Sequence, residues 1–181
     1  MSSLPRFETL LLTRKGRLLT ITFNLPDTMN AVTATMHAEL PEAIVFASND
    51  PHSDVIVLTG AGKAFSAGGD MAHIQSHAAN PSQFDEEVRQ AKRIVFAILD
   101  MEKPLICRMN GHAVGLGATL ALFCDVIFAA DSARIGDPHV AIGLVAGDGG
   151  ALIWPQRIGI CLAKEFLLTG ELLTAPRAKE I

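Results

Sequence analysis

The chain predicts a mixed α/β (α+β) fold in which strand pairs are followed by helices, and three observations carry that reading. Short apolar runs rich in β-branched residues recur along it, among them Asp54-Val-Ile-Val-Leu-Thr-Gly60. Between them lie segments whose apolar residues return every three or four positions, the period of a half-buried helix. Glycine-rich loops stand at the junctions, over 60–70, 110–117 and 143–150.

Phe7 to Thr13 and Leu18 to Phe23 flank the turn signal Arg14-Lys15-Gly16 and predict a hairpin. A helix follows from Thr33 to about Ser48, with Met36, Leu40, Ala43, Ile44 and Ala47 on one side, a kink at Pro41 and a stop at Asn49-Asp50-Pro51. The run 54–60 reads as a strand covered on both faces. Asn80 as N-cap, Pro81 at N1 and Gln83 at N3 open an amphipathic helix whose inner face is Val88, Ala91, Ile94, Val95, Ile98 and Leu99, ending near Asp100. Lys103 to Met109 is another buried strand, Gly117 to Cys124 an apolar helix, and Val126 to Ala130 and Ala133 to Gly136 short strands. An apolar helix through Trp154 and a last well-patterned helix, Cys161 to Thr169, follow the third glycine loop. Thr174 with Pro176 in the first turn starts one more helix just before Ile181, so a structural unit is expected to be cut there.

Composition narrows the function. A chain of 181 residues buries roughly 70% of the surface its unfolded form exposes, so it needs neither disulfides nor metal to hold a core. Fifteen basic against 19 acidic side chains leave a net charge of −4 and a pI near 5.8, with no run of Lys or Arg longer than Arg14-Lys15. Nucleic acid is excluded as a partner on that ground. Ala113 to Ala130 is apolar, but Gly115, Gly117, Thr119 and Asp125 interrupt it, which excludes a membrane span. Cys107, Cys124 and Cys161 are read as buried reduced thiols without chemistry. With no basic and apolar leader in residues 1–16, the expected location is the cytoplasm. At 49% hydrophobic and 19% charged, the chain carries too few charges for an ordinary monomer surface, which predicts association with other subunits or with a further part of the same chain.

The loops fail three familiar tests. In Gly60-Ala-Gly62-Lys-Ala-Phe65 the third glycine of the dinucleotide fingerprint is Phe65. Gly62-Lys63 precedes Ala64 rather than Ser or Thr, so no triphosphate cradle forms. Gly111-His-Ala113-Val-Gly115 has alanine where a nucleophile elbow needs serine. What remains is that Ala67-Gly68-Gly69-Asp70 and Gly115-Leu116-Gly117 each lie just before a predicted helix, where free N–H groups gather and a glycine lets a carbonyl approach. Two such donors converging make an oxyanion hole; the competing role for these glycines is close helix packing.

In this order Asn30-Ala31, Val57-Leu-Thr-Gly60, Lys63-Ala-Phe-Ser-Ala-Gly-Gly-Asp70, Asn110-Gly-His-Ala-Val-Gly-Leu-Gly117, Cys124-Asp125 and Gly143 to Gly150 resemble the enoyl-CoA hydratase/isomerase (crotonase) superfamily. The resemblance covers nearly the whole chain. It implies one domain over 1–181, the spiral core of repeated ββα units, without the carboxy-terminal helical region that family members use for trimer packing and acyl-site closure. It also implies a coenzyme A thioester as substrate, no other cofactor, and a homotrimer or dimer of trimers. The family's two oxyanion-hole N–H donors fall on Gly69 and Leu116. Ala31, Ala67 and Gly68 to Ala72, including Asp70 and Met71, would line the CoA thioester with Leu116 and Thr119, Asp70 acting as a helix N-cap.

Departures from the family decide the reaction. Its hydratases use two glutamates to activate and deliver water, and those positions here are Thr119 and His139. Thr119 cannot be a carboxylate base and is expected to bond back to the Gly115 carbonyl. His139, after Pro138, can serve as a base near neutrality. Asp148 stands where some family isomerases and dehalogenases carry a working carboxylate; otherwise it caps the helix through Trp154. Double-bond isomerisation is therefore expected ahead of hydration or thioester hydrolysis, with an inert acyl-CoA-binding subunit as the alternative of another class. His37, His52, His73, His77 and His112 have no ligand-like spacing with carboxylates, so no metal is expected, and His73 and His77 are read as solvent-facing.

Overall fold

The computed structural model describes residues 3–78 and 81–181, and the side chains among them outside 76–84 and 87. The predicted Asn80 cap lies outside the described residues, and the side chains of Gln83 and His77 outside the described side chains. Strand β1 (Leu10–Lys15) starts later than Phe7 and runs through Lys15 to a turn at Gly16, whose φ of +59° suits glycine. It pairs antiparallel with β2 (Leu18–Phe23), which sends Leu19, Ile21 and Phe23 into the core at the two-residue period of a pleated strand.

Parallel pairing then adds β3 (Val55–Gly60), β4 (Leu105–Met109) and β6 (Val126–Ala129) to give the order β1-β2-β3-β4-β6. Parallel neighbours need crossovers, and helices supply them. Helix α1 (Ala34–Asn49) is capped by Thr33, whose hydroxyl accepts from Met36 N–H at 3.2 Å, and it continues across Pro41. Helices α2 (Met71–Ala78) and α3 (Pro81–Leu99) link β3 to β4. Among the described side chains of α3 the buried stripe runs through Ala91, Ile94, Ala97 and Ile98; Val88 and Leu99, expected inside, are exposed.

A second, three-stranded sheet of β5 (Ala113–Val114), β7 (Arg134–Gly136) and β8 (Leu173–Thr174) stands beside the first. Around it pack α4 (Leu116–Phe123), α5 (Gly150–Ile158), α6 (Ile160–Thr169) and α7 (Ala175–Glu180), the last capped by Thr174. Cys107 and Cys124 are buried free thiols, but Cys161 is exposed, against expectation, because it lies in the first turn of α6 away from the inward Ala163 and Phe166.

One ionic cluster ties the outer hairpin to the core. Asp50, only 2% exposed, receives both Nε (3.2 Å) and Nη2 (2.8 Å) of Arg14, while Lys103 Nζ donates to the carbonyls of Ala47 (2.8 Å) and Asp50 (2.6 Å). Removing the carboxylate strands a largely buried guanidinium. Asp50→Ala is therefore expected to lower unfolding free energy by about 2–4 kcal/mol in urea titration, at an unchanged denaturant slope.

Candidate active site

Two asparagines shape the first glycine loop. Asn30, fully buried with φ at +55°, donates from Nδ2 to the carbonyls of Ala61 and Ala64, both at 2.9 Å. Asn110 accepts from Gly60 N–H at 3.0 Å and donates to the carbonyls of Gly62 and Ala64 at 3.1 Å. Ala64, whose carbonyl takes both asparagines, is buried, and there such side-chain donors stand in for water.

The loop is then stitched to its neighbours almost atom by atom. Ala67 N–H donates to Met29 O, Gly68 N–H to the Ser66 hydroxyl, Val32 N–H to Gly68 O, and Asp70 N–H to Val32 O. Residues 68 and 70 thus make the bonds of the parallel bridge between Val32 and Gly69, and the N–H of Gly69 points away from it. The second loop is fastened by Phe65 and Ser66 N–H to His112 O, Val114 N–H to Ser66 O and Gly115 N–H to Gly136 O. Leu116 is the first residue of α4, where a helix leaves its N–H without an internal acceptor. Among the hydrogen bonds of the described residues, neither Gly69 nor Leu116 donates its N–H to the protein.

The two loops touch backbone to backbone. Gly68 has φ at +85°, and a Cβ there would stand 2.6 Å from Val114 O, so only glycine permits this approach. Ala31 and Ala67 are half-buried beside it, Gly68 is buried, and Met71 and Ala72 are exposed at the start of α2. Asp70 accepts from His73 N–H at 2.9 Å, the geometry of an N-cap. His73 is half-buried rather than solvent-facing.

His139 lies against the second loop: a Cβ on Gly115 would stand 3.4 Å from its Cε1 and 3.8 Å from its Nε2. It sits in a short turn of 3-10 helix, 139–142, that sequence periodicity did not reveal. The ring is not alone. Nδ1 is hydrogen-bonded to Asp137 Oδ1, which also accepts from His139 N–H at 3.3 Å, and Nε2 faces Asp148 Oδ2 at 3.7 Å. Asp148 Oδ1 in turn accepts from the Thr119 hydroxyl at 3.2 Å and Gly150 N–H at 3.4 Å. The Thr119 side chain thus serves Asp148 and not the Gly115 carbonyl, which takes the Thr119 backbone N–H instead. Gly149, not Asp148, occupies the N-cap position of α5. Both corrections have one cause: tertiary packing brings 119 and 148 together across 29 residues.

Burial draws the His139 imidazole down, but the Asp137 hydrogen bond and the Asp148 charge outweigh it, so the ring keeps its proton above its ordinary 6.5. Burial also pushes Asp148 up; the His139 charge opposes this and the Asp137 charge adds to it, with a net rise. A proton shared by such a pair belongs to both groups. Asp137, His139 and Asp148 each place a donor atom within 4.8 Å of the others, a set able to hold a cation. The histidine in it is His139, outside the five whose spacing suggested no metal. Asp137 is the functional candidate that sequence reasoning missed, although its place two residues before His139, just past β7, was visible.

Fold and site together describe a spiral α/β scaffold presenting two free backbone donors beside an acid–imidazole cluster. The model of the family "Enoyl-CoA hydratase/isomerase" matches residues 13–181, and the chain belongs to that family. It is 33% identical over 177 residues to a crotonyl-CoA hydratase of Syntrophomonas wolfei, covering 97% of this chain and 67% of that protein. A mitochondrial enoyl-CoA hydratase of Pongo abelii is 32% identical, over 96% of this chain and 60% of its own length. An enoyl-CoA hydratase/isomerase from Mycobacterium paratuberculosis superposes with a TM-score of 0.91 at 39% identity, over 95% of this chain and 69% of that one. The chain thus spans about 60–67% of the length of these curated relatives. No helix among the described residues is long and apolar enough to cross a membrane.

Proposed function

We propose that this protein binds an acyl-CoA, polarises its thioester carbonyl with the N–H groups of Gly69 and Leu116, and moves an acyl proton with His139 and Asp148. Double-bond isomerisation is the favoured reaction. The observation behind it is the placement of the His139 ring against Gly115, the residue before one free donor, with a second proton-carrying group 3.7 Å away. An oxyanion hole stabilises the enolate oxygen formed when Cα loses its proton, and a nearby base then has only to return that proton at Cγ. Thr119 supplies no carboxylate, and two-glutamate hydration has no counterpart here. The names of the hydratase relatives favour hydration as the second reading.

Ala31, Ala67, Gly68, Asp70, Met71, Ala72 and Thr119 border the thioester and its CoA in this reading. Coenzyme A enters only as part of the substrate, and proton transfer asks for no metal. The reading places the whole chain in one spiral-core domain of a cytoplasmic homotrimer or dimer of trimers. Free, buried Cys107 and Cys124 suit a reducing compartment, and the open strand β6, with Phe128 64% exposed, suits self-association.

The test is to incubate the protein with saturated and unsaturated acyl-CoAs in heavy water and follow deuterium in the acyl chain by mass spectrometry. Label at Cα and Cγ is expected; thioester binding without exchange would leave an inert subunit or a hydrolase. The pH profile carries a further expectation. A base must be unprotonated, and the His139 ring holds its proton above its ordinary 6.5, so exchange should rise with pH through an inflection above that value. An inflection near pH ~4, that of an isolated carboxylate, would remove His139 from the mechanism.

A further inference from the structure

The site contains a group for which proton transfer to and from substrate has no direct use. Asp137 has a side chain with 0% exposure, and its carboxylate meets the Nδ1 edge of the His139 ring while Asp148 faces Nε2. One oxygen, Oδ1, accepts from both the backbone N–H and the ring Nδ1 of His139. The other, Oδ2, is buried with no hydrogen-bond partner. Burying a carboxylate is costly, and an unmatched oxygen adds to the cost, so its retention needs a compensating role. The neighbourhood is shaped around it as well: a Cβ on Gly150 would lie 2.6 Å from Asp137 Oδ2 and 3.4 Å from Thr119 Oγ1.

Resting on the isomerase reading above, we propose that Asp137 is the positioning residue of the site: it holds His139 as the Nδ1–H tautomer, leaving Nε2 bare to take the acyl proton, with Asp148 as the second proton station. An ionised carboxylate only accepts, so a ring nitrogen bonded to it must carry the hydrogen, and the opposite nitrogen of a neutral imidazole is then the acceptor. The 3.7 Å from Nε2 to Asp148 Oδ2 exceeds a hydrogen bond, so Nε2 is not already committed to Asp148. In the reaction the Cα–H proton passes to Nε2 and its electron pair enters the enolate. The imidazolium, stabilised by Asp137, returns a proton at Cγ directly or through Asp148, the C–C double bond moves from β,γ to α,β, and no proton or electron is gained overall.

The test reads the tautomer and the reaction separately. Long-range proton–nitrogen NMR of the full chain carrying 15N-histidine, assigned with His139→Ala and recorded above the ring's titration midpoint, should show Nδ1 protonated and Nε2 bare. Asp137→Ala should shift the ring toward Nε2–H, and Asp148→Asn should leave Nδ1–H in place. With vinylacetyl-CoA as probe, Asp137→Ala should lower kcat for isomerisation by about 10³–10⁴-fold, as when the carboxylate behind a catalytic histidine is lost, with KM little changed. A wild-type ring carrying its proton on Nε2, or an unchanged tautomer and rate in Asp137→Ala, overturns the proposal. Should Asp137→Ala not fold, the wild-type tautomer and Asp137→Asn decide it. An Nδ1–H ring in a protein that moves no acyl proton would overturn the isomerase reading and leave the Asp137–His139 assignment standing.

Discussion

His139→Ala is expected to slow deuterium incorporation at Cα by about 10²–10⁴-fold, with thioester binding retained. The ring is packed against Gly115, next to the Leu116 donor, so a carbonyl held by that N–H brings its Cα toward Nε2. Asp148→Asn should act differently: it removes the charge that helps hold the proton on His139, so the inflection of the pH profile moves down while part of the exchange remains. If Asp148 alone were the base, Asp148→Asn would stop exchange and His139→Ala would spare it. Mass spectrometry of recovered acyl-CoA at matched times distinguishes the two outcomes.

The second large effect belongs to a backbone atom. Leu116→Pro removes one N–H at the first position of α4, where proline is compatible with a helix and no internal hydrogen bond is lost. Loss of one oxyanion donor typically costs about 2.7–4 kcal/mol of transition-state stabilisation, a fall of about 10²–10³ in kcat. The substitution also deletes a buried side chain, so its control is Leu116→Ala, which keeps the N–H while losing about 2–5 kcal/mol of stability. Exchange should survive in Leu116→Ala and fail in Leu116→Pro. Equal rates in two variants that are both folded by circular dichroism would show that this N–H is not used.

Local chemistry was legible in the sequence wherever one residue type answers one local demand. Thr33 and Thr174 cap the helices expected of them, Asp70 caps α2, and Leu19, Ile21 and Phe23 alternate into the core. The free N–H of Leu116 follows from its place at a helix start, whereas that of Gly69 depends on the bridge to Val32, which only the structure shows; the order of motifs around them was enough to indicate the family. Val88 and Leu99 were misplaced because periodicity finds the apolar stripe of a helix but not where along its length a neighbour covers it. Cys161 went wrong for the same reason, since hydrophobicity alone does not say which side of α6 meets α5.

By itself the sequence determined the class of fold, the two donor loops and the identity of the groups able to move a proton. Tertiary structure alone decided how those groups act together. Thr119, Asp137, His139 and Asp148 come from three separate stretches, and the sequence reads them singly, as a helix threonine, a base after Pro138 and a carboxylate that acts or caps a helix, with Asp137 unnoticed. Packing of α4 against the segments around β7 and α5 brings them into one cluster, joined by the Thr119–Asp148 and His139–Asp137 hydrogen bonds and the 3.7 Å approach of His139 Nε2 to Asp148. The physical reason is range: caps and turns depend on neighbours a few residues away, whereas the proton affinity and tautomer of a buried imidazole depend on whichever charges the fold brings to it.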